Sequence, residues 1–109
     1  MKKLLLILLC LPLLTLAQQT YVPDDNFEQH LIDIGLDSAP LNDSVLTAAI
    51  DTIENLQINV KNIQDLTGIE SFTSLRILNC QINALSILDL SNNLLLEELY
   101  CQNNLISSL

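Results

Sequence analysis

The chain has 109 residues, enough for one small domain, and a formal net charge of −9 at neutral pH. Four basic residues against thirteen acidic ones exclude the basic footprint that nucleic-acid and anionic-membrane binding need. Only Gly35 and Gly68 are glycines, so no phosphate-cradling glycine loop is present.

The first element in chain order is a leader. Lys2 and Lys3 precede an apolar run from Leu4 to Leu16, and the small Ala17 stands before Gln18. This layout predicts a secretory signal peptide over 1–17, cleaved after Ala17. The apolar run is too short for a bilayer span, and no stable membrane span is expected in the mature chain. A lipid-attached cysteine at Cys10 is the competing reading, but Leu9 is larger than the residue that chemistry normally wants before the Cys. Losing Lys2 and Lys3 takes the net charge from −9 to −11 and leaves Lys61 and Arg76 as the only basic residues.

An N-terminal cap is expected over 18–52. Asp25 and Glu28 have capping-box spacing, and Pro23 lies just before them. Phe27, Leu31 and Ile34 recur at one helical face, and Gly35 fits the stop position. A helix is therefore expected over about 25–34, its apolar face covering the open end of the first repeat. The stretch "LNDSVLTAAI", Leu41 to Ile50, suggests a turn or a further short helix.

Repeats fill 53–109. Leu75, Leu78, Cys80, Asn83, Leu85 and Leu88 recur at one constant step as Leu96, Leu99, Cys101, Asn104, Ile106 and Leu109. An earlier copy, Ile53, Leu56, Ile58, Ile63 and Leu66, precedes at a step one residue longer. The template L-x-x-L-x-L/C-x-x-N-x-L is the leucine-rich repeat signature. The expected fold class is thus an α/β repeat: a leucine-rich repeat solenoid of mostly short parallel strands, with a small helical N-terminal cap. Its coils start near 53, 75 and 96. Asn83 and Asn104 are expected to bond backbone groups of their own turn and of the next coil, with Lys61 at that place in the first copy. The half-repeat "LSILDLSNNLL" places Asn93 in the same role, and short extended segments are expected on both sides of each coil. Leu105, Ile106 and Leu109 call for burial by a further coil, so the chain reads as the truncated start of a longer array.

"NIQDLTGIESFTSL", from Asn62 to Leu75, resembles the internalin-like leucine-rich repeat proteins. "LNC" and "LYC" paired with "LDLSNN" resemble a 21-residue, cysteine-bearing repeat subtype of secreted bacterial proteins. "YVPDDNFEQHLIDIGLD" resembles the segment that precedes the repeats in that group. The resemblance implies a secreted or cell-surface module that binds proteins or cell surfaces, in the manner of an adhesin.

Candidate chemistry is sparse. Cys80 and Cys101 form one inward column; a disulfide is the ordinary guess for an exported chain, but parallel Cβ vectors about 4.8 Å apart suit packed free thiols better. Two Cys without a nearby His fall short of a metal site. His30, the single histidine, is expected on the solvent side of the cap helix. The carboxylates Asp24, Asp25, Glu28, Asp33, Asp37, Asp43 and Asp51 crowd the cap without a calcium-loop pattern and read as a solvated face. No catalytic residues, metal or cofactors are assigned. The expected binding face is the outward strand side: Gln57, Asn59, Ile77, Asn79, Gln81, Glu98, Tyr100 and Gln102, with Tyr100 the one aromatic anchor. The second reading is a structural N-terminal spacer for an exported protein with a catalytic or C-terminal sorting domain.

Overall fold

Among the described residues, five strands of three residues each, with side chains alternating inward and outward, build two sheets. The computed structural model describes residues 17–107. The leader expected over 1–17 falls, apart from Ala17, outside the described residues, as does Leu109. In chain order the elements are β1 (Gln19–Tyr21), α1 (Asp25–Asp33), β2 (Ser44–Leu46), α2 (Thr47–Ile50), β3 (Asn55–Gln57), a 3-10 turn (Ile69–Ser71), β4 (Ile77–Asn79) and β5 (Glu98–Tyr100).

The cap differs from the sequence expectation in three ways. First, "SVL" at 44–46 is a strand, paired antiparallel to β1 with Thr20 opposite Val45. Both central residues are buried while their neighbours face outward or lie at the margin. Three residues are too few to show a period, so only pairing reveals the strand. The expected short helix follows it as α2. Second, the N-cap of α1 is Asp24 rather than Asp25. Its Oδ1 accepts from the Asn26 and Phe27 amides at 3.0 and 3.1 Å. Its Oδ2 accepts from the Gln64 and Asp65 amides at 2.9 and 3.1 Å. One carboxylate thus caps the helix and clamps it to the first coil. Glu28 does not reach back to complete a capping box. It is 0 % exposed and its Oε1 accepts from the Asp43 amide at 2.9 Å, closing the 35–43 loop. Third, Ile34 is exposed. The chain ends α1 through Gly35 at φ 85°, with the Gly35 amide bonded to Ile32 O and the Leu36 amide to Leu31 O. This left-handed stop turns Ile34 outward and brings Leu36 back against the core instead.

Phe27 and Leu31 of α1 meet Phe72, Leu75 and the inward strand residues in one core, with the Phe27 and Phe72 rings 6.2 Å apart. The cap is also joined by polar contacts. The Thr20 hydroxyl donates to Ser71 Oγ at 2.9 Å and shares a 2.7 Å bond with Thr47. Gly68 sits at φ 110°, and a Cβ there would meet Val22 Cγ2 at 2.8 Å and Tyr21 O at 2.9 Å. Glycine is therefore what lets β1 lie against the first coil.

Strands β3, β4 and β5 form a parallel sheet in that order. Leu56 aligns with Leu78 and Leu78 with Leu99, so the first coil is one residue longer than the second. On the far sides of the coils the expected extended segments pair into no strand among the described residues; the chain there runs through turns, the 3-10 turn and unassigned stretches such as 87–90. There Leu96 N bonds Asn93 O as Leu75 N bonds Phe72 O, and Asn93 N bonds Leu90 O as Phe72 N bonds Ile69 O. Phe72 and Asn93 are thus equivalent, and the residue that lengthens the first coil lies between Leu66 and Ile69. Apolar packing on this side follows the turns rather than a strand ladder.

Candidate functional site

The three parallel strands display four rows of side chains on their outer side. One residue before the strands stand Glu54, Arg76 and Glu97. The first strand position carries Asn55, Ile77 and Glu98, and the third carries Gln57, Asn79 and Tyr100. Two residues on come Asn59, Gln81 and Gln102. Alternation forces the last three of these rows outward, because Leu56, Leu78 and Leu99 between them point inward; Glu54, Arg76 and Glu97 precede the strands and lie outside that period.

The rows are braced by their own side chains. Asn79 Nδ2 donates to Gln57 Oε1 at 3.2 Å, and Gln57 Nε2 donates to Asn55 Oδ1 at 2.7 Å. Asn79 Oδ1 also accepts from the Gln81 amide at 3.1 Å. The Tyr100 hydroxyl donates to Glu98 Oε1 at 3.0 Å, which holds the ring over the sheet at 38 % exposure and raises the phenol pKa. Arg76 grips Glu97 with two nitrogens, Nη2 to Oε1 at 2.8 Å and Nε to Oε2 at 3.3 Å, and stands 3.9 Å from Glu54 Oε1. The hydrogen bond to Arg76 draws the Glu97 pKa down, and the same bond raises that of Arg76. Sequence reasoning missed Asn55, Glu54, Arg76 and Glu97. Alternation carried back from Gln57 finds Asn55, and the opposite charges of Arg76 and Glu97 at one repeat step were the other available signal.

Behind the face, Ile58, Cys80 and Cys101 continue the inward column. Both cysteines are free, Cys80 buried and Cys101 half-buried. Burial, and then the neighbouring Cys101, pushes the Cys80 thiol up to about 11. Below the strands, Asn83 Nδ2 donates to Ile58 O and Cys80 O, at 2.9 and 3.0 Å. Asn83 Oδ1 accepts from the Lys61 and Ile63 amides, both at 3.0 Å. Asn104 repeats this one coil on, bonding Cys80 O, Cys101 O and the Leu85 amide. These amides therefore tie each coil to the preceding one, not to the next. On the far side Asn93 is buried and donates to Ile69 O at 2.9 Å and Phe72 O at 3.1 Å.

His30 is half-buried rather than solvent-facing. Burial, and then the charge of Lys61, lowers its pKa. Ligand oxygens of Asp25, Glu28 and Asp43 lie within 4.8 Å of one another. Glu28 is already held there by the Asn42 and Asp43 amides, so Glu28 acts as a loop clamp. No described helix is long and apolar enough to cross a membrane.

No protein-family model matches the chain, and no curated protein matches it. Solved structures do. The functional domain of InlJ from Listeria monocytogenes, described as including a cysteine ladder, is 31% identical over 88% of this chain and 22% of that one, with a TM-score of 0.73. The internalin InlF of the same organism is 27% identical over 82% of this chain and 26% of its own, also with a TM-score of 0.73. The chain thus spans about a quarter or less of the length of these relatives. The likeness makes this an internalin-like leucine-rich repeat fold.

Proposed function

We propose, from that leucine-rich repeat fold, that the chain is a non-catalytic module of a secreted or cell-surface protein, binding a protein ligand through the outer side of β3–β5 in an adhesin-like role. The repeats would form the first coils of a solenoid. The observation that supports this reading most is the braced outer face: polar rows at fixed spacing, with one aromatic, Tyr100, tied to Glu98. Rigid aromatic and amide side chains bind with little ordering cost, which favours recognition by this face over its use as a mere spacer. The residues proposed to touch the ligand are Gln57, Asn59, Ile77, Asn79, Gln81, Glu98, Tyr100 and Gln102, now joined by Asn55 and Arg76. Cys80 and Cys101 would be two rungs of a thiol column like the ladder described for InlJ. The Lys2, Lys3 and Leu4–Leu16 leader pattern supports export, with a mature start at Gln18.

The test is saturable binding of the full chain to intact cells and to the same cells stripped of surface protein by protease. Binding should vanish on stripped cells and fall about tenfold, or about 1.4 kcal/mol, in a Tyr100→Ala, Asn79→Ala variant of unchanged melting temperature. Binding indifferent to these substitutions would refute the assignment of the face. No saturable binding at all would favour the spacer reading.

A further inference from the structure

The turns that end β3 and β4 carry residues poorly suited to them. Val60 has φ 58° and Ile82 has φ 56°, both in the left-handed region. Branched Cβ atoms crowd the backbone there more than any other side chain. The backbone requires the conformation, because the Val60 amide donates to Gln81 O and the Ile82 amide to Gln102 O, each at 3.0 Å. The third coil shows the comfortable solution: Asn103, at φ 59°, occupies the equivalent turn. Asn tolerates this region; Val and Ile do so at a cost to folding. Burial does not repay that cost in full, since Val60 is 60% exposed and Ile82 48%. Two strained, exposed, branched apolar residues thus stand one coil apart on the same edge of the sheet.

Their surroundings give the patch a sign. Val60, Ile82 and Ala84 line a shallow trough with Lys61, Asn62 and Asn83, and no carboxylate lines it. Lys61 is exposed, and the ion pairs among the described residues both belong to Arg76. In a chain of net charge −9, this is an apolar trough beside an uncommitted ammonium group. We propose that Val60, Ile82 and Lys61 form a second docking patch, separate from the outer rows, for an extended partner segment that sets an apolar side chain between the two branched residues and a carboxylate on Lys61. In this proposal the strain at Val60 and Ile82 is offset by the contact they make with the partner. The carboxylate requirement follows from charge complementarity at Lys61.

The experiment uses the full chain and three short fluorescent peptides of equal length: alternating Leu and Glu, alternating Leu and Lys, and alternating Ser and Glu. The Leu-Glu peptide should bind at least tenfold tighter than either control. The Val60→Asn, Ile82→Asn double variant should lose that binding tenfold or more while its melting temperature stays level or rises, as relief of strain demands. Lys61→Glu should abolish the preference for Glu over Lys without changing the melting temperature. Tyr100→Ala should leave peptide binding intact, which separates this patch from the face proposed above. Equal binding of the three peptides, absence of binding, full affinity in the double variant, a lowered melting temperature in it, or loss of binding in Tyr100→Ala would each overturn the proposal.

Discussion

Cys80 looks chemical in sequence and is a buried free thiol in place. Its thiol lies in the inward column, matched by Cys101 one coil on, and burial raises its pKa from 9.0 to about 11. A group that is neutral in the fold and ionised in the unfolded chain favours folding less as pH rises. Stability from this thiol is therefore complete below pH 9.0 and declines between 9.0 and about 11. Denaturation midpoints followed across that window should fall more steeply for the native chain than for Cys80→Ala. Equal slopes would show that the column does not hold its thiol neutral. The repeat template in the sequence marked this position as inward, and it marked Asn83 and Asn104 as turn residues. It could not tell which neighbouring coil each amide would bond.

At the level of elements, the cap and the repeats were unequally legible. Six residues recurring at one spacing expose a repeat even when every described strand is only three residues long. The β1–β2 pair recurs nowhere and has no period of its own, so nothing but its pairing partner defines it. The cap of α1 turned on a choice between neighbouring aspartates. Asp24 wins because it alone also reaches the Gln64 and Asp65 amides of the first coil. Asp24→Ala should thus remove a helix cap and an inter-element clamp together, costing about 2–3 kcal/mol, where an ordinary cap costs about 1. Asp25→Ala, with no cap bond to lose, should stay within about 0.5 kcal/mol. Urea denaturation of both variants decides this: similar losses would mean that the two carboxylates share the role.

Across the whole molecule, the outer rows were only partly readable. Gln57, Asn79 and Tyr100 follow from alternation, but their bracing by Asn55 and Glu98 depends on side-chain conformations chosen in three dimensions. The exposure of Val60 and Ile82 at left-handed turns was likewise invisible, because their apolar character reads as core until the backbone is known. The two coil lengths carry a further expectation. The step from Leu56 to Leu78 is one residue longer than that from Leu78 to Leu99, yet the strands stay in register, and the difference is absorbed between Leu66 and Ile69. A glycine inserted between Leu88 and Asp89, at the matching place in the second coil, should cost about 1 kcal/mol or less. The same insertion between Leu78 and Asn79 should turn Asn79 inward and Cys80 outward and abolish cooperative unfolding. Thermal melts of the two insertion variants distinguish them.

Repeat length and face composition are thereby separable variables. The back of a coil can gain or lose a residue while the front keeps its alignment, so divergent copies of this array can drift in length without rewriting what they display. An alignment of such sequences should be anchored on the strand residues Leu56, Leu78 and Leu99, with gaps assigned to the opposite side. A designer grafting a new recognition surface onto these coils inherits the same freedom: outward rows to edit, and a slack segment behind them to absorb the misfit.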